Sequence, residues 1–275
     1  MDKKLTPIGI FDSGYGGLTV FKEIEALMPS YDYIYLGDNA RAPYGSRSFE
    51  SVYQYTLSSV KWLFEQGCPL VILACNTASA KALRSIQQND LANIDPAKRV
   101  LGVIRPTAEY IGAHSKSKAI GVLATKGTVL SNSYSIEIQH IDASLKVYQQ
   151  ACPTWVPLIE NNEYETAGAS FFIERDVKNL LAQNKDIDTV LLGCTHYPII
   201  EKQIRAYLPA TVQLISQGAI VANSLEAYLK RHSAMELAIS KHGTQQFYTT
   251  DDVHDFNQHA PLFYGKPIAA KHLHL

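Results

Sequence analysis

The sequence lacks any long apolar run. No stretch approaches the roughly 20 residues that a membrane-crossing helix requires, and Met1 to Ile10 reaches a glycine before a signal-type apolar core forms. An excess of either charge is missing too. The 25 Lys and Arg face 26 Asp and Glu, a formal net charge of −1, so no electrostatic case for nucleic acid or an anionic membrane follows. Cysteine is scarce: Cys68, Cys75, Cys152 and Cys194 are too few and too scattered for a disulfide scaffold in 275 residues. No Cys-x-x-Cys or His-Glu-x-x-His spacing speaks for a metal. The glycines of Asp12-Ser-Gly-Tyr-Gly-Gly17 lack both the dinucleotide-loop spacing and a phosphate-loop lysine. Their expected use is to let backbone come close to a small ligand. These absences leave a cytoplasmic protein that takes a small molecule, with no nucleic-acid or membrane partner and no metal. Each cysteine is then either a small core hydrophobe or a reactive thiol.

What the chain does have is alternation. Short runs rich in Val, Ile and Leu predict strands at Pro7–Phe11, Tyr33–Leu36, Leu70–Ala74, Val100–Ile104, Ala119–Ala124, Lys146–Gln150, Thr189–Leu192 and Val212–Ile215. Amphipathic helices lie between them. Leu18, Phe21, Ile24 and Leu27 keep helical spacing until Pro29, and Val52, Val60, Leu63 and Phe64 keep it until Gly67. Strand alternating with helix predicts an α/β fold of mostly parallel sheets.

The chain also echoes itself. Val71-Ile-Leu-Ala-Cys-Asn-Thr77 returns as Val190-Leu-Leu-Gly-Cys-Thr-His196, which sets the two cysteines 119 positions apart. Ile8-Gly-Ile-Phe-Asp-Ser-Gly14 has a similar counterpart at Ile120–Gly127, at an offset of 112. Two matched pairs in one order imply two pseudo-symmetric α/β domains with equivalent loops, and a site in the cleft between them. Ligands bind at the C-terminal ends of parallel strands. Asp12-Ser13, Asp38-Asn39, Cys75-Asn76-Thr77, Thr125 and Cys194-Thr195-His196 all fall at such ends.

A cysteine between a buried strand and a helix N-terminus meets free N–H groups that favour its thiolate and can hold a substrate carboxylate. Two such thiols suit racemisation, in which a base on one face of a carbon removes a proton while an acid on the other face supplies one. His196, two residues after Cys194, would favour that thiolate as an imidazolium. Asp12 would oppose ionisation of Cys75, and so must act through proton transfer or through a substrate ammonium. Cys68 and Cys152 have no matched partners and read as core or near-surface thiols. The tail Lys271–Leu275 reads as a frayed or solvated end.

Phe11-Asp-Ser-Gly-Tyr-Gly-Gly-Leu18, Asp38-Asn-Ala-Arg-Ala-Pro-Tyr-Gly45, Ala74-Cys-Asn-Thr-Ala-Ser79 and Gly193-Cys-Thr-His-Tyr-Pro198 together resemble the glutamate racemases. The resemblance implies a cofactor-independent enzyme that supplies D-glutamate for peptidoglycan. Cys75 would serve the D-glutamate face and Cys194 the L-glutamate face, aided by Asp12 and His196, with Glu160 on the His196 side. Substrate would be held by Asp12, Ser13, Pro43, Tyr44, Gly45, Asn76, Thr77, Thr195 and His196, with Thr125, Thr128 and Asp38 as further candidates. The resemblance divides the chain into 1–99 plus 212–275 and 100–211, leaves a homodimer open, and implies no activator-binding N-terminal extension. Two segments depart from it: Ser216-Gln-Gly218 stands where Asp-Ser-Gly is common, and Arg105-Pro-Thr107 where Pro-Gly is common. Both are expected to bear on local packing or activity level. The rival readings are a racemase for aspartate or another amino acid, a thiol redox protein and a binding module without chemistry.

Overall fold

A computed structural model describes residues 5–275; of the N-terminal stretch read above for a signal, residues 1–4 lie outside the described residues. Two all-parallel sheets organise the chain. The strands are β1 (Ile8–Asp12), β2 (Tyr33–Gly37), β3 (Leu70–Leu73), β4 (Arg99–Gly102), β5 (Ala119–Ala124), β6 (Lys146–Ala151), β7 (Thr189–Gly193), β8 (Gln213–Ile215), β9 (Gln245–Thr249) and β10 (Ala270–His272). The first sheet runs β10-β9-β2-β1-β3-β4 and the second β6-β5-β7-β8. The order β2-β1-β3-β4 is therefore repeated as β6-β5-β7-β8, and the sequence echo maps β1 onto β5 and β3 onto β7. The expected boundary at 99/100 falls inside β4, which pairs with β3 in the first sheet, and the one at 211/212 falls just before β8, which pairs with β7 in the second, so the sheets place β4 with the first half and β8 with the second.

The central strands β1, β2, β3, β5 and β7 are buried at every residue, as their unbroken apolar runs require when both faces are covered. Alternate residues feed different cores. Ile8, Ile10, Leu70 and Ile72 join a cluster that continues into Ala119, Leu123, Val190 and Leu192 of the second sheet. Phe11, Ile34, Leu36, Val71 and Leu73 face a separate core under helix Phe49–Glu65, while Ile120, Val122 and Leu191 face a third. The shared cluster makes one continuous apolar body across the two sheets. Burial at about 25 cal/mol per Å² makes that body the main favourable contribution to folding.

Two strands escape the sequence reading. Gln-Gln-Phe-Tyr-Thr of β9 and Ala-Lys-His of β10 carry few aliphatic residues because they extend one side of the first sheet, where Lys271 and His272 face solvent. Charge at an exposed edge discourages pairing with a foreign strand. The tail is accordingly not frayed: Leu273 is buried and its N–H donates to the Thr249 carbonyl at 3.0 Å. Among the described residues, no helix is long and apolar enough to cross a membrane.

Candidate active site

The β1 loop is built first. Tyr35, buried among Phe21, Phe247 and Phe256, donates its hydroxyl to the Gly14 carbonyl at 2.8 Å. Asp12 ends β1 fully buried, and its Oδ2 accepts from the Gly14 N–H at 2.9 Å. A Cβ at Gly16 would lie 2.3 Å from Thr195 Oγ1 and 2.4 Å from His196 Nδ1, and one at Gly17 would lie 2.4 Å from Asp12 Cβ. The space those two glycines leave is thus filled by the protein's own side chains, a correction to the ligand-approach reading. Thr19 Oγ1 reinforces the contact by donating to the Thr195 carbonyl at 2.8 Å. The β1 and β7 loops of opposite sheets are therefore in direct contact.

Cys75 follows β3 as the N-cap of the helix Asn76–Lys81, and its sulfur accepts from the Ala78 N–H at 3.4 Å. Its thiol donates to Ser13 Oγ at 3.5 Å. Burial, then the Asp12 charge, pushes this thiol up to about 12, although the Ser13 and Ala78 hydrogen bonds pull the other way; Cys194 adds a smaller upward push. That last influence puts the two thiols in one electrostatic neighbourhood. Asp12 itself is raised, by burial first; the His196 charge and the Gly14 and Gly17 N–H groups oppose the rise, and Glu160 adds to it.

Cys194 stands differently. The expected helix does not open directly after it: Cys194–His196 form a bend and turn, followed by a 3₁₀ segment at Tyr197–Ile200 and only then the helix Glu201–Tyr207. Pro198 contributes to this, because it has no N–H to make the α-helical bond to the Cys194 carbonyl, which instead accepts from the Tyr197 N–H at 3.2 Å. The sulfur's charged partner is instead His196, whose Nδ1 lies 3.9 Å away while its Nε2 lies 2.8 Å from Glu160 Oε1. Burial lowers the His196 pKa, but the hydrogen bonds to Cys194 and Glu160 and the Glu160 charge outweigh it and hold the imidazole well above its usual range. Glu160 ends the short helix Trp155–Glu160.

Several other predicted residues converge. Thr77 Oγ1, on the Cys75 helix, lies 2.9 Å from Thr125 Oγ1 at the end of β5, and Thr128 Oγ1 is within 3.4 Å of both. These hydroxyls bridge the two sheets' loops. Gly45 approaches the same group, since a Cβ there would lie 2.9 Å from Thr125 Cβ. Thr195 Oγ1 is 3.5 Å from Asp12 Oδ1. Asp38 does not present a free carboxylate: it accepts from Arg41 Nε at 2.7 Å, from Thr250 Oγ1 at 2.8 Å and from the Tyr44 hydroxyl. It holds the Pro43–Gly45 loop in place, and Tyr44's hydroxyl is committed to it. Pro43 itself is exposed. Cys68 and Cys152 are buried core thiols, and all four cysteines are free. Among the described residues, no cluster of three or more His, Cys, Asp and Glu side chains is placed to hold a metal. A cavity of about 660 Å³ lined by Lys81, Arg84, Arg105, Glu109 and Tyr228 contains neither Cys75 nor Cys194, and its Arg84 and Arg105 are ion-paired to Glu137 and Glu109.

Residues 13–225, most of the chain, match the Asp/Glu/Hydantoin racemase family. The chain belongs to that family. It is 38% identical over 260 residues to a glutamate racemase of Sulfurihydrogenibium sp. strain YO3AOP1, covering 94% of each chain. Among solved structures it is similar to a glutamate racemase isoform from Bacillus anthracis, with a TM-score of 0.89, 34% identity and 99% coverage of both chains. It is also similar to the glutamate racemase of Francisella tularensis solved in complex with D-glutamate, with a TM-score of 0.85, 30% identity and 98% coverage of both. Sequence reasoning met Gln217 and Thr107 only as departures from the family pattern and missed Tyr134; all three are buried beside Asn76, from three distant segments.

Proposed function

We propose that this chain interconverts L- and D-glutamate by a two-base mechanism that needs no cofactor, with Cys75 and Cys194 as the exchanging acid and base. The observation that carries the reading is the repeated strand order, which puts a cysteine at the same topological position in each half, after β3 and after β7. Glutamate is favoured as substrate by the glutamate racemases among the relatives, one of them solved with D-glutamate. In this reading the substrate lies between the halves, 1–99 plus 212–275 and 100–211. Its α-carbon faces one sulfur on each side, and it is held by Ser13, Asn76, Thr77, Thr195 and the Pro43–Gly45 backbone. The product would supply D-glutamate for peptidoglycan in the cytoplasm.

The two thiols are handled by different means. At Cys194, His196, held well above its usual pKa range by its hydrogen bonds and braced by Glu160, supplies a positive charge 3.9 Å from the sulfur. At Cys75, Asp12 is the problem left by the sequence, since its charge raises the thiol. Its own raised pKa resolves the difficulty: a carboxyl pushed toward neutrality can accept a proton, and once protonated it no longer opposes the thiolate.

Purified protein incubated with pure L-glutamate, without pyridoxal phosphate, should lose optical rotation and gain solvent deuterium at the α-carbon. Cys75→Ala and Cys194→Ala should each abolish racemisation while leaving the fold intact. Full racemisation by either single variant would rule out two bases, and faster turnover of aspartate than glutamate would rule out the substrate.

A further inference from the structure

The two segments that depart from the glutamate-racemase pattern meet in the fold, and they meet behind Asn76. Gln217 Nε2 donates to Thr107 Oγ1 at 3.0 Å and to the Tyr134 hydroxyl, while Gln217 Oε1 accepts from Asn76 Nδ2 at 2.8 Å. The Tyr134 hydroxyl in turn donates to Asn76 Oδ1 at 2.5 Å. All four side chains are at most 3% exposed. Thr107 lies where the chain leaves the first sheet after β4, and Gln217 where it leaves the second after β8. Both crossings are thereby tied to the residue next to Cys75.

The polarity of this network is fixed from one end. Thr107 Oγ1 is 2.7 Å from the Val103 carbonyl, which can only accept. The hydroxyl proton is therefore committed there, and toward Gln217 the oxygen must accept. That turns the Gln217 amide so that its N–H groups face Thr107 and Tyr134 and its oxygen faces Asn76. Asn76 must then meet Gln217 with its nitrogen and Tyr134 with its oxygen. The reverse orientation of both amides would require Thr107 to donate to two acceptors at once. One Asn76 N–H has no partner in the network.

We infer that Gln217, locked by Thr107, is a positioning residue that sets the orientation of the Asn76 amide, so that it offers an N–H donor to a carboxylate of the substrate. This rests on the reading of the chain as a glutamate racemase in which Asn76 touches substrate. A buried network whose donor and acceptor roles are fixed from one end holds one arrangement of its amides, whereas one whose roles are free allows several. The two departures from the family pattern thus bear on the site and not on packing alone.

The test is a cycle of steady-state kinetics with glutamate on the wild-type chain, Gln217→Met, Asn76→Ala and the double variant. Gln217→Met fills the same space without hydrogen bonds. It should raise KM about tenfold, the scale of one hydrogen bond to a charged group, while changing kcat much less, because the donor serves bound substrate and transition state alike. In the Asn76→Ala background it should add nothing further. Thr107→Val, which keeps the packing and frees the amide to turn, should raise KM in the same direction and covers the case in which Gln217→Met does not fold. A wild-type KM in both Gln217→Met and Thr107→Val, or the full Gln217→Met effect persisting without Asn76, would overturn the inference while leaving the racemase reading intact. A wild-type chain that does not turn over glutamate would overturn both.

Discussion

Replacing Asp12 by Asn should make Cys75 react faster with an alkylating agent, because the substitution removes a charge that raises this thiol. The size of the effect can be bounded. With the thiol pushed up to about 12, only about one Cys75 in ten thousand is ionised at pH 8, and the thiolate is the species that alkylates. Burial is the largest cause of that displacement and Asp12 the second. An amide at position 12 removes the charge, keeps an oxygen for the Gly14 N–H and leaves burial untouched. A like charge in a buried site typically contributes one to three pKa units, so the thiolate fraction should rise by about tenfold or more. It should stay well short of the roughly 900-fold that a full return to the ordinary thiol value of 9.0 would give at pH 8. The assay is pseudo-first-order alkylation by iodoacetamide at pH 8, quenched at intervals and read peptide by peptide by mass spectrometry. Cys68 and Cys152 serve as internal references, because both are buried core thiols and would also accelerate if the substitution merely loosened the fold. An unchanged or slower Cys75 rate, with the references steady, would refute the electrostatic account of the Asp12–Cys75 pair.

Other perturbations address the opposite thiol. His196 has a folded-state pKa raised above its unfolded value near 6.5, so its contribution to stability is complete below that pH and is lost as pH rises through the folded value. Glu160→Gln removes one source of the rise, and should therefore lower the thermal midpoint most near pH 6 and progressively less toward pH 9; a pH-independent difference would mean that the pair is not ionic. Gly16→Ala forces a methyl group into Thr195 and His196, which should cost about 1–3 kcal/mol in urea unfolding and sharply reduce turnover. Unaltered stability would mean that the two loops can separate freely.

How far the sequence could be read depended on whether a feature was local. The five central strands were legible because burial on both faces favours near-continuous apolar runs, whereas β4, β6 and β8, at the edges and only partly buried, were read from shorter β-rich runs between helices. β9 and β10 were not, because strands at the side of the sheet need no such run, and Lys271 and His272 look like a tail. The two cysteines were legible through the echo of their flanking strands. The 3₁₀ turn after Cys194 could have been read from Pro198, whereas the filling of the Gly16 space by Thr195 and His196 depends on the docking of one sheet's loops against the other's. The Gln217 network was invisible for the same reason: residues 76, 107, 134 and 217 have no spacing in common and are neighbours only once both crossings are folded.

The repeated strand order carries a thermodynamic consequence. Two halves of one design would be expected to surround their thiols alike, yet one sulfur has a serine and a carboxyl for neighbours and the other an imidazole. Mirror-image molecules have equal free energies in water, so the equilibrium constant between them is one, and the ratio kcat/KM must be the same for both hands of the substrate. The unequal surroundings therefore cannot favour one hand overall. They can only divide the same efficiency differently, giving one hand tight binding with slow turnover and the other loose binding with fast turnover.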